Sequence, residues 1–285
     1  MNLSGKTANL DNRALVLVTG EEAEKFLQAL ITTDLGSLGA DDLKPGALLT
    51  PQGKIMFDFL VSRVENGLRL DMPEEIAASL IKRLMLYRLR SKAEITQSSE
   101  SLITVSWQND STSSQGDSGK RDLRFPEDLN VRRFYGQQFD ENNIAGWTQL
   151  RIANGITEGS NDFAYNDLFP HDVNFDQIGG VSFTKGCFIG QEVVSRMQHR
   201  GTARRRAMVA TATTPLPEKG TGLTVGEREI GNLGEVSGTQ AIAFVRIDRV
   251  QDALDSQTPI MAGDAEVTLT IPSTAKYTMP VKGQE

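Results

Sequence analysis

Hydrophobic and polar positions along this chain switch between the two-residue period of strands and the longer period of helices. Residues 14–18 (ALVLV) form a short apolar run closed by Thr19-Gly20, the pattern of a buried strand. Residues 21–35 then read as a helix, with Phe26, Leu27, Leu30 and Ile31 on one face and Thr19 and Glu22 at capping-box spacing. Residues 48–50 and 55–64 predict paired strands about a turn at Pro51-Gln-Gly53, and Asn66-Gly67 predicts a tight hairpin into Leu68-Arg-Leu70. Pro73 opens a second helix running to about Arg90, because proline in the first turn loses no internal hydrogen bond. Its apolar stripe is Leu80, Ile81, Leu84 and Met85, and its end is basic through Lys82, Arg83, Arg88, Arg90 and Lys92. Strands containing residues 93–96 and 102–107 follow.

This order of helices and hairpin strands predicts an α+β layered fold rather than a doubly wound sheet. Residues 108–120 (QNDSTSSQGDSGK) are polar or glycine and read as a surface loop. Beyond Arg206, glycines at 220, 222, 226, 231, 234 and 238 punctuate short Val/Leu/Ile/Thr segments, the texture of a small antiparallel barrel. The expected units are an α+β region over 1–106, a second over 107–205 that includes the polar loop, and a C-terminal barrel over 206–285. Segments of the first two are open to exchange.

Composition narrows the chemistry. The 285 residues are 39% hydrophobic and 24% charged, which suits a folded chain. A net charge of −7 argues against direct nucleic-acid binding. One cysteine excludes an intrachain disulfide framework and a cluster or zinc cage held by this chain alone, and the two histidines lack metal-ligand spacing, so no resident metal is expected. The first residues lack the apolar core of a signal peptide, and no apolar run approaches the ~18 residues of a membrane span. The reading is a cytoplasmic protein with no membrane contact and, by default, a monomer.

The densest segment is 183–206, FTKGCFIGQEVVSRMQHRGTARRR. Cys187 precedes a helix expected to start near Ile189, and Lys185 stands two residues away; both features lower a thiol pKa. Gly186 and Gly190 permit close backbone approach to a ligand. From Val193 to Pro217 there are five arginines and no acid, a local reversal of the global charge. Composition alone favours a buried small thiol beside a solvated basic face, with a site for an anionic ligand beside an activated thiol as the alternative.

Residues 185–192, KGCFIGQE, resemble the K-G-C-[FY]-x-G-Q-E signature of the YgfZ family of folate-binding proteins, relatives of the T-protein (aminomethyltransferase) of the glycine cleavage system. Residues 15–34, 49–59, 86–95, 151–162, 169–175 and 230–246 resemble successive blocks of the same family, so the likeness covers roughly 10–250. The resemblance implies a T-protein-like cloverleaf of two mixed α/β domains and a C-terminal antiparallel β-barrel. It implies tetrahydrofolate or a derivative in a central cleft, and a role in assembly or repair of iron–sulfur proteins, including enzymes of tRNA modification. Mitochondrial relatives serve iron–sulfur cluster assembly.

Carried onto this chain, the resemblance implies Cys187, Lys185 and Asp58 as reactive groups. It implies Gly186, Phe188, Gly190, Gln191, Glu192, Arg196, Arg200, Asp172 and Asn174 as folate-binding residues. A polyglutamate tail would suit Arg196, Arg200 and 204–206, or the basic end of the second helix. The chain also departs from the T-protein pattern. Phe57 replaces the first of two paired aspartates, leaving Asp58, and Ala153 replaces the carboxylate of the Arg-Leu-Glu-Ala-Gly block. Three functions remain open: a folate-dependent accessory factor working through the thiol, a divergent one-carbon transferase, and a non-catalytic binding module.

Overall fold

The buried strand read at 14–18 is β2 (Arg13–Thr19), and it lies between two other strands of one large sheet. The structure is a computed structural model and describes residues 6–108 and 119–280; residues 109–118 of the predicted polar loop lie outside the described residues. β1 (Thr7–Asn9), β3 (Asp42–Leu49), β4 (Ile55–Val64), β5 (Gly67–Pro73), β6 (Glu94–Gln97), β7 (Ile103–Ser106), β8 (Lys120–Asp122) and β9 (Arg132–Tyr135) complete it. The order is β1-β7-β9-β8-β3-β4-β5-β2-β6. Every pair is antiparallel except β3 with β8, which joins the two halves. β1 pairs with β7 although it precedes β2, so the chain starts in the second half and crosses to the first. Asn66 at φ +59° makes the predicted hairpin between β4 and β5.

Two expected elements differ. The helix expected over 21–35 is only α1 (Ala23–Gln28). It stops because residues 31–33 find better partners outside it. Ile31 bridges Leu48, the Thr32 N–H donates to the Ala47 carbonyl, and the Thr32 and Thr33 hydroxyls donate to the Gly180 and Gly179 carbonyls. Nor does Thr19 cap the helix. Glu22 occupies the cap position, and its carboxylate accepts the Lys92 N–H instead. In α2 (Glu74–Arg88) the buried face is Ile76, Ala77, Leu80 and Leu84, whereas Met85 of the predicted stripe faces solvent.

The C-terminal unit is a closed antiparallel barrel of six strands, β10 (Arg205–Ala212), β11 (Gly222–Val225), β12 (Arg228–Ser237), β13 (Gln240–Arg246), β14 (Ile260–Ala262) and β15 (Ala265–Thr270). β10 closes it by pairing with both β13 and β15. Between sheet and barrel run α3 (Ile144–Ala153) and α4 (Gln191–Arg200), and α5 (Ile247–Asp255) covers the barrel. One apolar cluster fills the first half-sheet and another the barrel. A third joins them through Ala47, Leu49, Ile55, Phe163, Phe188, Val194 and Phe244.

The three parts are also joined by charge. Arg13, Asp71, Arg133, Asp122, Arg124 and Glu158 form a closed ring of alternating sign. Its links are Arg13–Asp71, Asp71–Arg133 (2.8 Å), Arg133–Asp122 (3.8 Å), Asp122–Arg124 (2.7 Å), Arg124–Glu158 (3.0 Å) and Glu158–Arg13 (3.9 Å). All six side chains are buried. Glu158 leads to a second group, where its N–H donates to Asp162, Asp162 pairs with Arg151, and Arg151 pairs with Glu235 of β12. Burial alone would raise the Asp71 and Glu158 carboxyls, but Arg13 and Arg133 hold Asp71 low, and Arg124 with Arg13 hold Glu158 low.

Such a ring stabilises only when complete, since a buried charge without its partner keeps the full cost of desolvation. Asp71→Ala, which strips Arg13 and Arg133 of their shared carboxylate, is expected to lower unfolding free energy by about 3–5 kcal/mol in a urea titration at neutral pH. The depressed carboxyls fix the sign of the pH dependence. Their stabilisation is complete above the ordinary carboxylate range and is lost as pH falls through it toward the lower folded values. Urea midpoints measured from neutral to acidic pH should fall steeply for the natural chain and less steeply for Asp71→Ala.

Candidate functional site

The KGCFIGQE segment forms a loop fastened on both sides of its thiol. On one side the Lys185 ammonium donates to the carbonyls of Gln28 (2.6 Å), the last residue of α1, and of Thr33 (2.9 Å) beyond it. Burial lowers the Lys185 amine to about 8, with Asp34 opposing the shift. On the other side Phe188 enters the apolar cluster shared by sheet and barrel, under the Lys185 ammonium at 5.6 Å. Gly186 and Cys187 between them are exposed, so the thiol is presented to solvent by a clamped loop.

Gly190 caps α4 at φ +78° and abuts the turn at Pro51-Gln-Gly53. A side chain there would begin 2.5 Å from the Thr50 carbonyl oxygen and 3.0 Å from the Gly53 Cα. α4 itself buries only Val194 fully. Gln191 is half-buried, with its N–H donated to the Phe188 carbonyl. Glu192 pairs with Arg196 at 3.0 Å on the surface, and Arg200 is exposed in the last turn before Gly201. Glu192, Arg196 and Arg200 therefore face solvent, the first two paired with each other.

Asp58 sits elsewhere. It is buried in β4, accepting from the Tyr165 hydroxyl (2.6 Å) and the Gly159 N–H (3.1 Å), and burial raises its carboxyl despite those donors. It borders a cavity of about 10 Å³, room for one water, shared with Arg13, Arg124 and Glu158 of the charge ring. On the far side of Tyr165 opens a cavity of about 470 Å³ between the 160–168 loop and the barrel. Phe163, Tyr165 and Phe244 wall it, with Phe163 edge-on to both others at 6.1 Å. Asp167, Arg205 and Lys219 supply charge at its rim. No residue of 185–192 lines either cavity.

Asp172 and Asn174 hold the turn that follows this loop. Asp172 accepts the Phe169 N–H (2.9 Å), and burial raises its carboxyl to about 6. Asn174, at φ +59°, donates to the Ala207 carbonyl of β10 (2.8 Å) and is buried. The arginines at 204–206 are divided. Arg206 is spent on Asp176 and the His171 carbonyl, whereas Arg205 reaches the large cavity. Ala153, where the T-protein pattern has a carboxylate, is exposed.

The lining of this cavity offers groups of the kinds a reduced folate needs: the half-buried Tyr165 ring beside the buried Phe163 and Phe244, a carboxylate at Asp167, and cations at Arg205, which lies 4.0 Å from Asp167, and Lys219. Phe163, Tyr165, Asp167 and Lys219 are not among the residues singled out from sequence. Asp167 and Lys219 carry no motif, and only the fold brings residues 52 positions apart to one rim. Among the described residues, no group of three or more His, Cys, Asp or Glu side chains could hold a metal ion.

Residues 204–277 match the family described as the CAF17 C-terminal beta-barrel domain. Curated relatives include a protein named iron-sulfur cluster assembly factor IBA57 homolog, mitochondrial, of Mycosarcoma maydis, 29% identical and matching 74% of this chain and 59% of that protein. The protein of the same name from Coccidioides immitis is 28% identical over 70% of this chain and 55% of its own length. The Homo sapiens iron-sulfur cluster assembly factor IBA57, mitochondrial, is 26% identical over 86% and 78%. The chain thus spans less than two thirds of the two fungal relatives. These names correct the expectation of a cytoplasmic location, since the relatives are mitochondrial proteins. Among solved structures, the glycine cleavage system aminomethyltransferase T of Bartonella henselae shares the fold. Its TM-score is 0.73, with 13% identity over 94% of this chain and 85% of that one. By its barrel, its IBA57 relatives and its T-protein fold, this chain is related to the YgfZ and T-protein superfamily.

Proposed function

We propose that this chain is a tetrahydrofolate-binding accessory factor in the assembly of iron–sulfur proteins, acting through the thiol of Cys187. The observation that carries the reading is the presentation of that thiol: exposed, flanked by Gly186, and held on a loop fixed by Lys185 and Phe188. A buried structural cysteine needs no such mounting. The relatives' names supply the process. As this is the chain's one cysteine, any cluster passing through it takes its other ligands from a second chain or a small thiol, which makes the cluster a cargo.

Folate belongs to the aromatic cavity beside the barrel. Tyr165, the half-buried ring beside buried Phe163 and Phe244, would take the pterin, Asp167 its amino edge, and Arg205 and Lys219 the tail. A bound folate brings a one-carbon or redox-active ring, while the chain's residues orient it and exclude water. The transferase alternative needs a carboxylate at the reacting nitrogen. Asp58, the remaining member of the family's pair, is enclosed by Tyr165, Gly159 and a one-water cavity. The geometry therefore favours the accessory factor.

Cys187→Ser should leave the thermal midpoint unchanged, because the side chain is exposed, yet abolish rescue of a four-iron enzyme in cells lacking this chain. Full rescue by the serine variant would remove the thiol from the mechanism. Purified chain given an aminomethylated lipoyl carrier and tetrahydrofolate should form no methylene-tetrahydrofolate above the protein-free control. Formation that depends on Asp58 would restore the transferase.

A further inference from the structure

α2 ends in an apolar knob that the fold does not use. Met85, Leu86 and Leu89 are 45%, 62% and 86% exposed, although the same helix buries Ile76, Ala77, Leu80 and Leu84 on its other side. With Lys82 they follow the i, i+3, i+4, i+7 spacing of one helical face, so α2 carries a second apolar stripe pointing outward. Leu89 is also strained. It is the C-cap residue at φ +45°, a backbone region that glycine adopts freely and leucine does not. An exposed leucine held in that conformation gains nothing from the fold that glycine or asparagine would not supply better.

Beyond its first two residues, α2 and the turn after it carry charge of one sign, with Glu21 and Glu22 meeting Lys92. Residues 76–93 contain no acid, and Lys82, Arg83, Arg88 and Arg90 make no ion pair among the described residues. Lys92 is the exception, spent on Glu21. We infer that the C-terminal turn of α2 is a docking site for an acidic protein partner, which receives Leu86 and Leu89 in an apolar pocket rimmed by carboxylates that meet Arg83 and Arg90.

Three observations select that occupant. A second copy of this chain would bring the same cations face to face in a symmetric contact. A membrane-surface helix needs a long apolar face with aromatic anchors, whereas this knob is three aliphatic side chains on a chain of net charge −7. A compact cluster of leucine and methionine ringed by arginine matches the anatomy of protein interfaces, with apolar centre and charged rim.

The test places a photo-reactive benzoylphenylalanine at position 86 of the full chain in cells, with the same label at exposed Leu254 of α5 as control. Cross-linked peptides are then identified by mass spectrometry. The inference expects a cross-link from position 86 and not from 254, to a peptide rich in Asp and Glu. Capture should fall at least tenfold in high salt and in Arg83→Glu/Arg90→Glu, and persist in Cys187→Ser, so that failure of the thiol reading leaves this one standing. Circular dichroism of the charge-reversed chain should match the natural one, since both side chains lie off the buried face. Cross-links to a second copy, capture indifferent to salt and charge, or no capture specific to position 86 would overturn it. So would Leu89-dependent sedimentation with phosphatidylcholine–phosphatidylglycerol vesicles.

Discussion

Six buried charges closed into a ring hold this molecule's geometry. Arg13 and Asp71 come from the first half-sheet, Arg133, Asp122 and Arg124 from the second, and Glu158 from the loop after α3. Each charge faces neighbours of opposite sign, so none bears its desolvation cost alone. Packing alone leaves layers room to slide; the four links of the ring that are hydrogen bonds add direction to the charge attraction and help fix their register. The loop that Glu158 anchors carries Gly159, Tyr165 and Asp167, and so the ring sets where one wall of the aromatic cavity stands. Through Asp162, Arg151 and Glu235 the same network reaches the barrel, which forms the opposite wall.

The ring also accounts for a divergence in chemistry within one fold. Asp58, the remnant of an aspartate pair, lies against the ring's one-water cavity and is held by Tyr165 and Gly159. Buried and accepting from two donors, its carboxyl suits a structural hydrogen-bond acceptor. In the proposed reading the reactive group is instead Cys187, exposed on its clamped loop away from both cavities. Thiol and aromatic cavity draw on separate residues, and the shared apolar cluster of Phe163, Phe188 and Phe244 links their supports.

Local features were legible in the sequence and long-range ones were not. The strand at 14–18, the Asn66-Gly67 hairpin, α2 and the start of α4 at Gly190 each follow from patterns within a few residues. The helix expected to reach residue 35 failed because Thr32 and Thr33 bond to Gly179 and Gly180, nearly 150 positions away. The KGCFIGQE segment drew attention to the thiol without telling whether it is exposed, which the fold decides, and the glutamate and arginines expected around folate, Glu192, Arg196 and Arg200, lie on an outer helix face. The ring was invisible for a related reason. Arg13, Arg124 and Arg133 look like ordinary surface charges until the β3–β8 pairing brings the half-sheets together; only Asp71, an acid inside an apolar strand, hinted at it.

The central claim is that the ring positions a folate cavity beside the barrel while a separate loop presents the thiol. Calorimetric titration with tetrahydrofolate tests it most directly, on the natural chain, Cys187→Ser and Arg205→Glu/Lys219→Glu. The account predicts one binding site, unchanged by the serine and weakened at least tenfold by the paired charge reversal. No binding to the natural chain, or binding lost with the thiol and indifferent to Arg205 and Lys219, would contradict it.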